Sequence, residues 1–196
     1  VDALRGLTAF QAEQQAAMAA KKSGIDCESL WESKRKLFAQ TPGLAIENPE
    51  CGFEGIGGVD VIKKFTRSVL TGNRRPKAIV FVDEIEKALA GVGGDTSGVS
   101  QDQLGALLSD MQDRRSSGMM FIGPPGAAKS AVAKSAGKEC GIPTIRLDLG
   151  ATKGSLVGQS EQQLRTALKV IAAVSDGDAL WIATCNSIGV LPPELR

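Results

Sequence analysis

The sequence predicts a three-layer α/β/α fold with a mainly parallel sheet, preceded by a helical appendage. Short, continuously apolar segments recur from residue 78 onward, as expected for strands covered on both faces. Helical patterns separate these segments, which is the order of βαβ units. The chain has 196 residues, 42% hydrophobic and 23% charged, enough for one domain with a substantial core.

The first 50 residues are expected to be a helical appendage or linker. Apolar residues recur at helical spacing over 2–22 and again over 27–39. Thr41-Pro42-Gly43 then breaks the pattern. The expected division is therefore an appendage of residues 1–50 and a core of residues 51–196.

The core begins with a glycine-rich loop over residues 52–58, and strands then alternate with helices. Helices are predicted over 59–70, 83–89, 101–111, from the end of the 123–130 loop to about 140, and over 160–174. Strands are predicted over 78–82, 119–122, 144–149 and 179–184.

Composition excludes several kinds of chemistry. The chain has no histidine, which removes histidine acid–base catalysis and most zinc sites. The four cysteines are far apart and form no CxxC pair, which favours inert thiols in a reducing compartment. No apolar run reaches membrane-spanning length, and the net charge of +1 gives no global attraction to nucleic acid. We therefore expect a cytoplasmic protein.

The strongest motif is Gly-Pro-Pro-Gly-Ala-Ala-Lys-Ser at residues 123–130, between a predicted strand and a helix. Backbone N–H groups of such a loop, together with the helix N-terminus, bind phosphate oxygens. Lys129 supplies a positive charge, and the Ser130 hydroxyl is suited to Mg²⁺. Ala128 departs from the common pattern, which has glycine before the lysine. The alternative is a strand-to-helix turn that is merely rich in glycine and proline.

A pair of acids follows the apolar strand 78–82. Ligands of parallel sheets bind at the carboxyl ends of the strands, where Asp83 and Glu84 stand. Asp83 would hold Mg²⁺ and Glu84 would polarise an attacking water. The alternative is a helix N-terminus that carries acids because of the helix dipole.

These motifs resemble those of the AAA+ ATPases, a class of P-loop NTPases. The loop at 123–130 resembles their Walker A motif, and the acids at 83–84 resemble their Walker B motif. Residues 183–186 resemble sensor 1, residues 156–161 a pore loop and residues 191–196 an arginine-finger segment. The loop at 52–58 resembles the linker that lies against adenine. The resemblance covers roughly residues 52–196.

The resemblance implies ATP, ADP and Mg²⁺ as ligands. Asn186 would orient the attacking water, and Arg196 would act in trans in a homo-oligomeric ring, usually a hexamer. Leu156 and Val157 would line a central pore that contacts a protein substrate. The residues expected to contact the nucleotide are Ile56, Gly57, Pro124, Pro125, Gly126, Ala127, Ala128, Lys129, Ser130 and Ala131.

The order of the motifs departs from the family, because the Walker B-like acids precede the Walker A-like loop. The family's sheet order, 5-1-4-3-2, places the Walker A strand next to the sensor 1 strand and the Walker B strand beyond it. Helical crossovers could keep that spatial order while the connections are rewired. We therefore expect Asp83 and Ser130 to lie within one water-bridged metal of each other. The family's fifth strand, helical lid and sensor 2 arginine would follow residue 196.

Three functions remain open at this point. The first is a ring-forming ATPase that remodels a protein or protein assembly. The second is a nucleotide-dependent scaffold with little turnover, which Ala128 favours. The third is a nucleic-acid motor, for which Lys153 and the basic turn at residues 74–77 give little support. The unusual order is also compatible with a viral origin.

Overall fold

The computed structural model describes residues 4, 9–21, 24–26, 29, 30, 32, 36, 38, 40–73, 75–88, 99–152 and 159–191. The helices are α1 (Ala9–Ala19), α2 (Asp60–Thr71), α3 (Ile85–Ala88), α4 (Val99–Asp113), α5 (Lys129–Cys140) and α6 (Gln159–Ser175). The strands are β1 (Ala20–Lys21), β2 (Gly24–Ile25), β3 (Leu44–Glu47), β4 (Ala78–Val82), β5 (Ser117–Ile122), β6 (Thr144–Leu147) and β7 (Ala179–Cys185). The predicted core strands and helices are therefore present, with ends shifted by a few residues.

The central sheet has five strands in the order β3-β6-β4-β7-β5. Its four strands β6, β4, β7 and β5 are parallel, and β3 pairs antiparallel with β6 at the edge. The parallel order β5-β7-β4-β6 is the spatial order 1-4-3-2 that the family resemblance implied. The mainly parallel α/β/α prediction is confirmed.

The chain visits these strands by crossovers. It passes from β4 to β5 across β7, from β5 to β6 across two strands, and from β6 to β7 across β4. Helices α4, α5 and α6 stand in these three connections. The order of these strands along the chain thus differs from their order in the sheet.

Helices cover both faces of the sheet, and the central strand β4 is buried along its whole length. Its Ile79 and Phe81 pack in a cluster with Val132 and Ala133 of α5. Its other residues face a second cluster that contains residues of α4 and α6. A parallel strand between two helical layers needs apolar side chains on both faces, which explains the sequence Ala-Ile-Val-Phe-Val.

Part of the segment expected to be an appendage, residues 1–50, lies in the main sheet and core. Strand β3 pairs with β6 in the main sheet, and Phe38 and Leu44 are buried in the main core. Gly43 has φ +79, and a side chain there would collide with Thr152. Thr41-Pro42-Gly43, which the sequence predicts to end the helical pattern, therefore turns the chain into an edge strand.

The helix predicted over 2–22 is only partly observed. Within the described residues, α1 covers Ala9–Ala19, and the chain then forms the short antiparallel pair β1–β2. In the second predicted helix, 27–39, the described positions 29, 30, 32, 36 and 38 are helical. Ala19 and Leu30 form a small cluster of their own with Leu4.

The outer edge of β5 is where the family's fifth strand would pair. Among the described residues, no strand pairs with β5 on that side. The fifth strand that is present, β3, lies at the opposite edge. The five-stranded sheet is therefore completed by a segment that the sequence assigned to the appendage.

Candidate functional site

The loop between β5 and α5 turns through two left-handed residues. Gly126 has φ +80, and Ala128, which caps the N-terminus of α5, has φ 58 and ψ 14. Left-handed residues within a turn arrange successive N–H groups into a concavity that binds anions. Helix α5 begins directly at Lys129 and has 12 residues, so its dipole adds a favourable field.

Lys129 folds back over this loop. Its ammonium group donates to the carbonyl oxygens of Gly123 and Pro124, each at 2.8 Å. It also donates to the Asn186 side-chain oxygen at 3.0 Å. All three N–H donors are thereby directed into the loop and toward the end of β7.

The two acids meet this loop at the carboxyl ends of the strands. Ser130 Oγ donates to Asp83 Oδ1 at 2.6 Å, although 46 residues separate the two along the chain. Thr184 Oγ1 donates to the same Asp83 oxygen at 2.7 Å. The structure thus brings Asp83 within direct hydrogen-bond distance of Ser130. The two side chains are closer than the separation by one water-bridged metal that the sequence analysis allowed.

Glu84 lies beside Asp83 in a left-handed conformation, with φ 46. Its backbone N–H donates to Thr184 Oγ1 at 2.8 Å. Its carboxylate accepts from Lys87 Nζ at 2.8 Å and lies 3.5 Å from Asn186 Nδ2. The hydrogen bond and charge of Glu84 raise the pKa of Lys87, so the lysine stays positive.

Asn186 connects the lysine to the acids. Its backbone N–H donates to Glu86 Oε1 at 3.0 Å, which fixes the end of β7 against α3. Its side-chain amide accepts from Lys129 and points its nitrogen toward Glu84. Asn186 therefore lies between the cation and the acid.

A polar cavity of about 350 Å³ adjoins the acids on the β6 side. It is lined by Asp83, Glu84, Lys87, Arg146, Leu147, Asp148, Leu149 and Gly150. Because these residues end β4 and β6 or follow them, the cavity opens at the sheet edge where ligands of parallel sheets bind. It gives Glu84, whose side chain is 43% exposed, a route to solvent.

The oxygen ligands at the site fit Mg²⁺. This ion uses one or two protein oxygens and completes its octahedron with water and substrate phosphates. A hydroxyl and a carboxylate in direct contact, Ser130 and Asp83, are such a pair. Among the described residues there is no cluster of three or more acids or cysteines that could hold a metal ion.

The other site residues predicted from the sequence, outside the loop and α5, make no hydrogen bond to these acids or to Lys129 among the described residues, or lie outside that part of the chain. Ile56 follows a short 3₁₀ helix, Phe53–Gly55, and packs against the cluster that contains Val132 of α5. Its carbonyl accepts from Lys63 Nζ. Gly57 is exposed, and a side chain there would meet no atom within 4 Å. Arg196, Leu156 and Val157 lie outside the described residues.

Sequence reasoning gave no role to Thr184, Glu86 or Lys87, which all contact the site. Thr184 lies within the sensor 1-like segment, but a threonine in a strand indicates β propensity first. Lys87 is three residues after Glu84, so a helix start at residue 85 could have indicated this pair. Glu86 is two residues after Glu84, and helical spacing gives no signal for it.

Part of this chain is similar to a known protein family. Residues 119–189 match the family model described as "ATPase family associated with various cellular activities (AAA)". This match supports an AAA+ ATPase. The matched segment contains Thr184, Asn186 and the loop at residues 123–130, which is called the phosphate-type loop below. Asp83 and Glu84 lie outside the matched segment. The place of the two acids in the site therefore rests on the geometry.

Similar proteins from several organisms carry the name "Uncharacterized AAA domain-containing protein ycf46". The one from Gracilaria tenuistipitata var. liui is 29% identical over 149 residues, which is 76% of this chain and 24% of that protein. The one from Guillardia theta is 26% identical over 161 residues, or 81% of this chain and 26% of that protein. The one from Trieres chinensis is 38% identical over 65 residues, 33% of this chain and 13% of that protein.

The chain spans about a quarter of the length of the first two relatives. None of these source organisms is a virus, so the matches give no support to a viral origin. In the described part of the chain, no helix is both long and apolar enough to cross a membrane.

Proposed function

We propose that this chain binds ATP with Mg²⁺ and hydrolyses it, at a site whose Walker A and Walker B parts occur in permuted order. The observation that carries the proposal is the 2.6 Å contact between Ser130 and Asp83. This contact joins the acid-bearing strand to the loop–helix junction where phosphate and metal chemistry meet in P-loop proteins. Two strand-end motifs with unrelated roles would not need to converge on one hydroxyl.

Binding of the phosphates is assigned to the loop backbone and to Lys129. Phosphate oxygens would compete with the carbonyls of Gly123 and Pro124 for the lysine ammonium, and a phosphate carries far more charge than a carbonyl. The residues proposed to contact the phosphates are Pro124, Pro125, Gly126, Ala127, Ala128, Lys129, Ser130 and Ala131. Ile56 and Gly57 are proposed to contact the adenine.

Asp83 and Ser130 would hold the magnesium ion. When bound, this ion supplies charge neutralisation at the phosphates. Two hydroxyl donors already orient the Asp83 carboxylate through its Oδ1 atom. Ser130 donates its only proton to Asp83, so its lone pairs remain available as ligands.

In hydrolysis, Glu84 accepts a proton from the attacking water as the new bond to the γ-phosphorus forms and the bond to the β–γ bridging oxygen breaks. Asn186 orients that water, because its amide already lies between Glu84 and Lys129. Lys129 stabilises charge on the phosphate oxygens. Before this can happen, Glu84 has to exchange its contact with Lys87 for one with water.

A ring with Arg196 acting in trans, and a protein substrate contacted by Leu156 and Val157, belong to the same proposal. They are supported by the resemblance and by the match to the AAA model over residues 119–189. A second candidate is a nucleotide-dependent scaffold with little turnover. The pairing of Glu84 with Lys87 favours it, because this contact competes with activation of water.

Steady-state ATP hydrolysis tests the proposal on the wild type, Lys129→Ala and Glu84→Gln. The controls are Lys169→Ala on the exposed face of α6 and Glu13→Gln on α1, which make the same charge changes elsewhere. Loss of the general base is expected to lower kcat by about 10²–10⁴-fold while ATP still binds. Loss of Lys129 is expected to weaken binding itself.

Equal turnover in the wild type and in both site variants would overturn the proposed hydrolysis at this site. Binding of Mg²⁺–ATP that depends on Lys129, without measurable turnover in the wild type, would favour the scaffold.

A further inference from the structure

Thr184 is buried at the junction of the three strand ends that form the site. Its exposed fraction is 0%, so water cannot replace its hydroxyl contacts. In the parallel ladder Ala183 pairs with Val82, which sets Thr184 beside Asp83. On its other side Thr184 pairs with Phe121 of β5, two residues before the phosphate-type loop begins.

The hydroxyl makes two contacts whose direction is fixed. A threonine hydroxyl has one proton to donate and lone pairs with which to accept. The Glu84 backbone N–H can only donate, so Thr184 Oγ1 accepts there at 2.8 Å. Its single proton is then free for Asp83 Oδ1 at 2.7 Å. The contacts therefore form a directed chain from the Glu84 backbone through Thr184 to the Asp83 carboxylate.

These contacts affect the orientation of the Asp83 carboxylate and the backbone conformation of Glu84. The donor to Asp83 fixes which carboxylate oxygen faces Ser130. The acceptor for the Glu84 N–H holds a non-glycine residue at φ 46, a conformation that persists only when its surroundings impose it. The backbone of Glu84 in turn sets the direction of its side chain.

We propose that Thr184 is a positioning residue of the ATPase site, which orients Asp83 for the metal and Glu84 for the attacking water. This inference rests on the proposed function. Within the described residues, the Thr184 hydroxyl bonds the Glu84 backbone and Asp83. Lys129 instead bonds Gly123, Pro124 and Asn186. Removing its hydroxyl should therefore affect metal-dependent steps and leave metal-free nucleotide binding unchanged.

The test compares Thr184→Val, which replaces the hydroxyl by a methyl of similar size, with Thr184→Ser, which keeps it. Thr166→Val is the matched control, because Thr166 is exposed on α6 and its hydroxyl donates to the Gln162 carbonyl of the same helix. Three quantities are measured on the protein: kcat, the Mg²⁺ concentration for half-maximal activity, and binding of a fluorescent ATP analogue in excess chelator.

Thr184→Val is expected to lower kcat and raise the Mg²⁺ requirement by about 10- to 100-fold, the usual effect of losing a partner of a metal ligand. Analogue binding in chelator should stay within about twofold of wild type, and Thr184→Ser should recover most of the activity. In a Glu84→Gln background, Thr184→Val should lower kcat much less than it does alone, because part of its effect passes through Glu84.

Wild-type turnover that depends on Mg²⁺ and Lys129, together with an unchanged Thr184→Val, would overturn this inference and leave the proposed function standing. A parallel loss of metal-free binding would also overturn it, because that is the result of a general structural role. If the wild type shows no Mg²⁺-dependent binding or turnover, both the proposed function and the inference fail. Should Thr184→Val not fold, Thr184→Cys, whose thiol is a weak donor, is measured in its place.

Discussion

Two non-glycine residues of the site have left-handed backbones, Glu84 with φ 46 and Ala128 with φ 58. For an L-residue this conformation costs roughly 1–2 kcal/mol, and such outliers concentrate at functional sites. Ala128 stands where the common loop pattern has glycine, the residue that takes this conformation without a steric penalty. The alanine at position 128 therefore adopts a strained backbone conformation, which the surrounding loop has to stabilise.

Replacing Ala128 with glycine should relieve this strain. The free energy of unfolding is expected to stay level or rise by up to about 1 kcal/mol, since the greater entropy of glycine in the unfolded chain offsets part of the gain. Chemical denaturation measures this change.

The matched control for Ala128→Gly is Gly126→Ala. Gly126 has φ +80, and an added methyl would meet no atom within 4 Å, so only the backbone conformation is penalised. A loss of about 1 kcal/mol is expected there. A clear destabilisation by Ala128→Gly would show that the alanine methyl makes contacts that outweigh the strain.

The role proposed for Thr184 illustrates what a residue pattern can and cannot predict. Lys129, Ser130, Asp83 and Glu84 can be predicted as site residues from the sequence, because their types and local order imply phosphate and metal chemistry. Thr184 acquires its contacts from the register of β7 against β4, which is a property of the assembled sheet. No local pattern contains that register.

At the scale of elements, α5 links the site to the glycine-rich loop before α2. At its far end, Glu139 accepts the Phe53 backbone N–H at 2.9 Å and pairs with Arg67 of α2. The Arg67 guanidinium also lies 5.7 Å from the centre of the Phe53 ring. Through these contacts the segment that holds Ile56 is fastened to the helix that begins at Lys129.

The Glu139 contacts predict a pH dependence. The hydrogen bond from Phe53 and the charge of Arg67 lower the pKa of Glu139 in the folded protein. A carboxyl group with a lowered folded-state pKa stabilises the fold above its unfolded pKa, and loses that contribution as pH falls through the folded value. Glu139→Gln should therefore lower Tm at pH 7 and differ little from wild type in strong acid. An equal Tm difference at both pH values would contradict this assignment.

The packing of α5 on the sheet depends on a glycine. An added side chain at Gly137 would collide with Thr144 Oγ1 and the Ile142 carbonyl. Gly137→Ala should therefore destabilise the protein by more than about 1 kcal/mol, because the helix has to move away from β6.

The matched variant is Gly105→Ala in α4, where an added methyl meets nothing within 4 Å. Alanine favours helix over glycine by roughly 1 kcal/mol, so this change should stabilise the protein. Thermal unfolding compares the two variants, and shifts of the same sign would contradict the packing described for α5.

Element prediction succeeded where a segment carries its own signal and failed where its partner is distant. The strands from β4 onward are short apolar segments between turn residues, and all of them are present. Strand β3 has four residues between a Pro-Gly turn and Asn48-Pro49, and its partner β6 lies about a hundred residues later. Its strand character comes from that pairing and not from the local sequence.

At the scale of the whole molecule, the site depends on the order of strands in space and not on their order along the chain. Strand β7 lies between β4 and β5. The acids after β4, residues 184–186 at the end of β7 and the loop after β5 are therefore neighbours. Three helical crossovers produce this order from a chain in which the acids come first. The order in space could be predicted, because the resemblance supplied it and crossovers permit it.

The central claim is that the acids at 83–84 and the loop at 123–130 form one site that binds phosphate and metal, although the acids come first along the chain. The most direct test is binding of a fluorescent ATP analogue with and without Mg²⁺ to the wild type, Lys129→Ala and Asp83→Asn, with Lys169→Ala as the control. We expect Mg²⁺ to tighten binding to the wild type, Lys129→Ala to bind weakly under both conditions, and Asp83→Asn to bind without responding to Mg²⁺. An Mg²⁺ response that survives in Asp83→Asn, or binding that is indifferent to Lys129, would contradict the claim.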